Sequence, residues 1–276
     1  DHAEMKIAIF HFAFMYSGGG ERHPISETIE LEGRGHHVES FAPAIRPDIC
    51  HPGLIDRIRP RGFLPKVRAP IPFRDFLSLG LSSSLIPLFT EQFEDFDVIL
   101  SHGQPATWIA YMVAQSLKKS YACYLHQPAR FLYPRPIDIE TGWATKRDFA
   151  LLNEIVQLAR PVVSTFDHIS VVSAKHVLVN SRWIGARVEQ IYNVSPIVCP
   201  PGVDIHTFVP VRARSNVNLG RLKIERPFVL STNRHYPQKG MEYLIRLLPR
   251  VLSKLDVNFV VTGDYTNYTY RLMRLA

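Results

Sequence analysis

The stretch MKIAIF, residues 5–10, and the loop after it that carries Ser17, Gly18, Gly19 and Gly20 decide the reading of the fold. An apolar run of strand length that ends in a glycine turn and passes into a helix is how many parallel α/β domains begin. Working outward, runs of similar length recur at His37 to Phe41, Asp97 to Ser101, Tyr121 to Leu125 and His176 to Asn180. The intervening segments, notably Ala106 to Lys118 and Thr145 to Leu158, are long enough for crossover helices. Strands alternating with helices predict a parallel sheet covered on both faces, a Rossmann-like domain whose ligands sit at the carboxyl ends of the strands.

From Arg212 to Arg226 the chain turns polar, with Ser215, Asn216, Asn218 and Gly220, which predicts a linker. Beyond it come a strand at Phe228 to Ser231, a loop through Gly240, a helix from Met241 to Leu255, a strand at Val257 to Thr262 and a helix near Tyr268. The expected organisation is therefore an α/β chain with a Rossmann-like amino-terminal domain over 1–211, a linker over 212–226 and a partial second Rossmann-like domain over 227–276. Two parallel strands cannot cover their own faces and edges, so this second unit is expected to be incomplete.

A hydrophobic share of 46% and a charged share of 21% over 276 residues are those of an ordinary globular chain, which excludes disorder as the default. With 32 Lys plus Arg against 25 Asp plus Glu, the net charge of +7 favours anionic partners such as nucleotides or phospholipids, or simply serves solubility. Cys50, Cys123 and Cys199 are odd in number and far apart, so the sequence predicts neither a zinc motif nor a disulfide framework, and a reduced, cytoplasmic chain. The start shows no secretory signal, which takes weight from the sequons at Asn193 and Asn267. No uncharged apolar stretch approaches the roughly twenty residues that span a bilayer, so any membrane contact is expected to be peripheral.

Three segments carry candidate chemistry. In SGGGER, Ser17 to Arg22, glycines let a backbone approach a phosphate or sugar, and the helix start favours an anion; the bland alternative is a tight turn. YLHQPARFLY, Tyr124 to Tyr133, leaves a strand with His126 and then Arg130, a hydroxyl or phosphate donor and an oxyanion fork, unless His126 is merely structural. STNRHYPQKG, Ser231 to Gly240, sets Arg234 and Lys239 in a strand-end loop beside a helix start, where two cations suit a diphosphate; a solvated basic loop is the alternative.

Taken in order with SHGQP at Ser101 to Pro105, VLVNSRW at Val177 to Trp183 and CPPGVDIHTF at Cys199 to Phe208, these strings resemble glycosyltransferase family 4. The resemblance implies the GT-B fold of two facing Rossmann-like domains and a retaining transfer of a hexose from a nucleotide-diphosphate sugar to a glycan or lipid-linked acceptor. It implies no metal and no other cofactor. Under it, Gly19, Gly20, Arg234 and Lys239 bind the donor, His126 is catalytic through contact with the transferred sugar, and Glu21, His102 and Arg130 face the acceptor. A closely spaced pair of glutamates that contacts donor sugar and ribose in relatives lies past Ala276, so an acceptor-binding module or half of a split enzyme is the alternative. A nucleotide-sugar epimerase ranks below both.

Two departures bear on the structure. HPISETIELEGRG, with Pro24, Glu27, Glu30, Glu32 and Gly33, has a weak amphipathic pattern that predicts a short or poorly formed helix. Residues 57 to 80 interleave Arg57, Arg59, Arg61, Lys66, Arg68 and Arg74 with Phe63, Leu64, Phe73, Phe76 and Leu77, a pattern suited to an anionic membrane surface or to packing on the first domain. No nucleic-acid module is recognised.

Overall fold

A computed structural model of the chain describes residues 3–63, 85–141, 158–209 and 227–276. It divides into two compact units, one of residues 1–133 and 151–202, the other of residues 134–150 and 203–276. The linker expected at 212–226 and, but for Leu158, the helix expected at Thr145 to Leu158 lie outside the described residues.

The first unit is built on a six-stranded parallel sheet. Its strands are β1 (Lys6–His11), β3 (His37–Phe41), β5 (Val98–His102), β6 (Tyr121–Leu125), β7 (His176–Val179) and β8 (Ile197–Val198), in the order β3-β1-β5-β6-β7-β8. Short strands β2 (Ala13–Phe14) and β4 (Ala44–Ile45) pair separately. Both faces of the central strands are covered, which is why β1 and β6 read as nearly continuous apolar runs. Along β1, Ile7 and Ile9 pack with Val38 and Leu100, while Ala8 and Phe10 enter an aromatic core. There the Phe10 ring meets Phe63 at 5.1 Å and Phe93 at 4.9 Å in edge-on geometry, worth about 0.5–1.5 kcal/mol per pair beyond burial.

Phe63 thus belongs to the core, and Arg61 pairs with Glu39 and lies over the Phe41 ring. Both follow the packing alternative for residues 57 to 80; Leu64, Lys66, Arg68, Phe73, Arg74, Phe76 and Leu77 lie outside the described residues.

Helix α1 (Gly19–Gly33) corrects the expectation of a short or poorly formed segment, since it runs through Pro24 for 15 residues. A proline inside a helix removes a backbone bond and typically costs about 3 kcal/mol. Tertiary contacts offset that cost: Pro24, Ile25 and Thr28 are buried, and Thr28 Oγ1, 2.8 Å from Pro24 O and 2.8 Å from Ser40 Oγ, ties the helix to β3. The weak apolar pattern misled because the buried stripe joins Ile25 to Glu21, Pro24 and Thr28, which are not large aliphatic residues. After α2 (Ile55–Ile58), helix α3 (Ala106–Leu117) forms where expected, followed by α4 (Pro136–Glu140), which lies in the second unit.

Two further helices, α5 (Arg160–Val172) and α6 (Arg182–Tyr192), cover the β6–β8 side. Ser181 caps α6 by accepting from the Ile184 amide at 3.3 Å, and Ile184, Val188 and Tyr192 fall on one face against Cys123, Leu125 and Val179. Asp167 on α5 accepts from Trp108 Nε1 at 2.8 Å and from the Tyr192 hydroxyl at 2.7 Å, joining α3, α5 and α6.

The second unit pairs β9 (Phe228–Thr232) with β10 (Asn258–Thr262) in parallel, with α7 (Met241–Leu252) between them and α8 (Asn267–Leu275) after them. Phe228, Val229 and Leu230 stay exposed along β9. No described helix is long and apolar enough to cross a membrane.

Candidate functional site

Strand order places the site. The chain passes from β1 to β3 on one side of the sheet and then to β5 on the other, so the carboxyl ends of β1 and β5 flank the point where the order reverses, the usual ligand crevice of such sheets. His11 ends β1, His102 ends β5 in register with it, and His126 follows the last residue of β6. Helix α1 brings His23 and Glu27, one turn apart, over the same strand ends.

Four imidazoles therefore converge. Glu27 Oε2 lies 2.7 Å from His102 Nε2, and His102 Nδ1 lies 3.4 Å from His126 Nε2. The carboxylate accepts, so His102 donates from Nε2. The His23 ring sits 5.1 Å from that of His102, 5.2 Å from that of His126 and 4.3 Å from that of Tyr124. His102 also stacks on Tyr124, whose hydroxyl donates to Cys199 O at 2.6 Å, and Asn180 Nδ2 holds the His126 carbonyl at 3.1 Å. His11 Nδ1 approaches His102 O at 3.4 Å, while His11 Nε2 and His23 Nδ1 are buried with no hydrogen-bond partner among the described residues.

Burial dominates the electrostatics. It pushes His11 down to about 3 and His23 down to about 4, with His102 adding to both shifts, so both rings are neutral near pH 7. Burial, then His102 and the other histidines, also lowers His126 far below the ordinary histidine value. For Glu27, burial acts upward, but the field and hydrogen bond of His102, with help from His23, outweigh it and hold the carboxyl below its usual range.

The other predicted residues of this unit lie nearby in sequence. Gly19 and Gly20 are the first two residues of α1, and a Cβ at either would meet nothing within 4 Å among the described residues, so no packing there demands glycine. Gly18 differs: a Cβ would fall 2.5 Å from Glu21 Oε2. Glu21 is buried, and Arg130 is half-buried in the turn after His126. The glycine turn is braced from outside, because Ser17 Oγ donates to Ile49 O at 2.7 Å and accepts from the His51 amide at 2.8 Å.

In the second unit, Arg234 and Lys239 are both exposed in the loop between β9 and α7. The Arg234 guanidinium lies over the Tyr236 ring at 5.9 Å, and Lys239 ends a 3-10 turn (Pro237–Lys239) before Gly240, whose φ is +67°. Between the two cations, buried His235 anchors the loop, its Nδ1 2.9 Å from Thr269 Oγ1 and its carbonyl accepting from Thr266 Oγ1 at 2.7 Å. A loop anchored in this way that presents two cations to solvent at a strand's carboxyl end can hold a diphosphate.

Sequence reasoning singled out His102 and His126 but missed His11, His23 and Glu27. The one available signal for the last two was their spacing of one helical turn, His23 to Glu27, directly after a glycine turn.

Residues 17–207 match the profile of Glycosyltransferase Family 4. No protein among the curated sequences matches the chain. Among solved structures, HepE from Anabaena, in complex with UDP and glucose, matches over 99% of this chain and 65% of its own, with 18% identity and a TM-score of 0.65. A glycosyltransferase from Rickettsia africae gives 16% identity and a TM-score of 0.62 over 99% of this chain and 65% of its own. Sucrose-phosphate synthase from Thermosynechococcus elongatus gives 17% identity and 0.62 over 99% and 66%. These likenesses establish the GT-B type of fold, and the chain spans about 65% of the length of the first of these structures.

Proposed function

The chain belongs to Glycosyltransferase Family 4, and from that footing we propose that it serves a retaining transfer of a hexose from a nucleotide-diphosphate sugar to a glycan or lipid-linked acceptor. The observation that carries this reading is the buried histidine cluster at the strand-order reversal, with His126 at its edge. His126 orients the transferred sugar through a ring nitrogen, and Arg234 and Lys239 neutralise the charge that develops on the departing diphosphate. Those two cations supply what a divalent ion supplies in other transferases, so transfer needs no metal. Gly19 and Gly20 leave backbone accessible to donor phosphate, and Glu21, His102 and Arg130 belong to the acceptor side. That the matched HepE structure holds UDP and glucose supports a nucleotide-sugar donor.

A panel of nucleotide-diphosphate hexoses screened by thermal shift tests the reading. A true donor at one hundred times its dissociation constant adds about 2.7 kcal/mol of stability. Product from that donor should keep the anomeric configuration by NMR. No stabilisation by any member, with no product, would instead support an acceptor-binding module without transfer of its own.

A further inference from the structure

We propose that the cleft between α7 and α8 of the second unit binds one phosphoryl group, the monoester of a small molecule or of a lipid headgroup, on Arg246, Arg271 and Arg274. These three arginines, with Glu242 and Leu275, line a cleft of about 200 Å³. Sites for drug-sized ligands run to about 300–1,000 Å³, so this one suits a phosphoryl group and not a whole nucleotide. Arg271 and Arg274, three positions apart, are neighbours on α8, and Arg246 joins them from α7, one turn after Glu242.

Charge and geometry both point to a ligand. Three guanidinium groups against one carboxylate leave the cleft a net charge of +2, and like charges held close repel one another until an anion joins them. A phosphomonoester carries about −1.5 to −2 near pH 7 and offers three acceptor oxygens, which matches that excess; a singly charged carboxylate does not. The one carboxylate in the cleft is already engaged. Glu242 Oε1 accepts from the Tyr268 hydroxyl at 2.8 Å and from Arg271 Nε at 3.0 Å, and the Arg271 guanidinium lies over the Tyr268 ring at 6.0 Å. Those contacts hold Arg271 through Nε and leave its two terminal nitrogens for an oxyanion, the fork that a guanidinium presents to phosphate. Arg246 and Arg274 have no ion pair among the described residues, so their charge is left for a ligand.

The site stands apart from Arg234 and Lys239, which lie in the loop before α7, and its test needs no nucleotide sugar. The arginine Nε–H signals of the full chain are followed by ¹⁵N NMR during titration with inorganic phosphate. The expected result is a shift of the Arg271 signal along a saturating curve. Arg246→Ala/Arg274→Ala should weaken that binding by at least about tenfold at an unchanged melting temperature, because both side chains are exposed. Arg234→Ala/Lys239→Ala should leave the curve as in the wild type. Should the first variant fail to fold, Arg246→Gln/Arg274→Gln carries the same comparison. Sedimentation with phosphatidylcholine vesicles that contain phosphatidic acid then assigns the source. Capture that inorganic phosphate displaces and the first variant loses marks a lipid headgroup, and no capture marks a soluble phosphomonoester; with the saturating shift in hand, either upholds the site. A shift of Arg271 that never saturates, that persists undiminished in folded variants at 246 and 274, or that disappears in Arg234→Ala/Lys239→Ala would overturn the proposal.

Discussion

Gly263 and Asp167 show how single residues set the frame of each unit. Gly263 has a φ of +151°, and a Cβ there would lie 1.9 Å from the Asn233 carbonyl oxygen, so the backbone of the cation-bearing loop closes only around glycine. Gly263→Ala is expected to cost about 1–3 kcal/mol from conformation alone, plus the clash, and to loosen the amides around Arg234 in hydrogen exchange. Asp167 is fully buried, and Asp167→Ala leaves the Trp108 and Tyr192 donors without an acceptor, at about 1–3 kcal/mol each by thermal melt.

Burial is the largest influence on the Asp167 carboxyl and raises it, against the hydrogen bonds from Trp108 and Tyr192. A raised folded-state value means that the native state holds its proton more tightly than the unfolded chain. The contribution of Asp167 to stability is therefore greatest below the ordinary carboxylate value, about 4, and declines as pH rises through the folded value. Asp167→Asn should remove that decline from the stability–pH curve; an unchanged curve would contradict it.

At the scale of elements, α1 matters most, because it carries His23 and Glu27 to the strand ends. Its persistence through Pro24 rests on packing against β3 and the loop at Ala42 to Ile58, and Ile25, fully buried, is central to that packing. Ile25→Ala is expected to cost about 2–5 kcal/mol in denaturant unfolding. The central strands were legible because buried parallel strands are apolar on both faces, as MKIAIF and Tyr121 to Leu125 are. Helix α6 was legible in principle through Ser181 and the spacing of Ile184, Val188 and Tyr192, but it escaped a reading that used VLVNSRW only as a motif. Within the site, His102 and His126 could be read from their strand-end positions. The one-turn spacing of His23 and Glu27 put them on a shared helix face, but the pairing of Glu27 with His102, 75 positions away, exists only once the sheet is folded.

For the molecule as a whole, chemistry is divided between the units: the first holds the buried imidazoles, and the second holds the exposed cations. The net charge of +7 agrees with an anionic ligand without selecting one, so the assignment rests on where particular cations sit. Because Arg234 and Lys239 are exposed, their removal should leave folding intact while changing phosphate binding. The most direct measurement is calorimetric titration of nucleoside diphosphates into the wild-type chain and the Arg234→Ala/Lys239→Ala double variant. The predicted result is at least about a tenfold weaker dissociation constant for the variant, a difference of about 1.4 kcal/mol, at an unchanged melting temperature. Equal affinity in the two proteins would contradict the account.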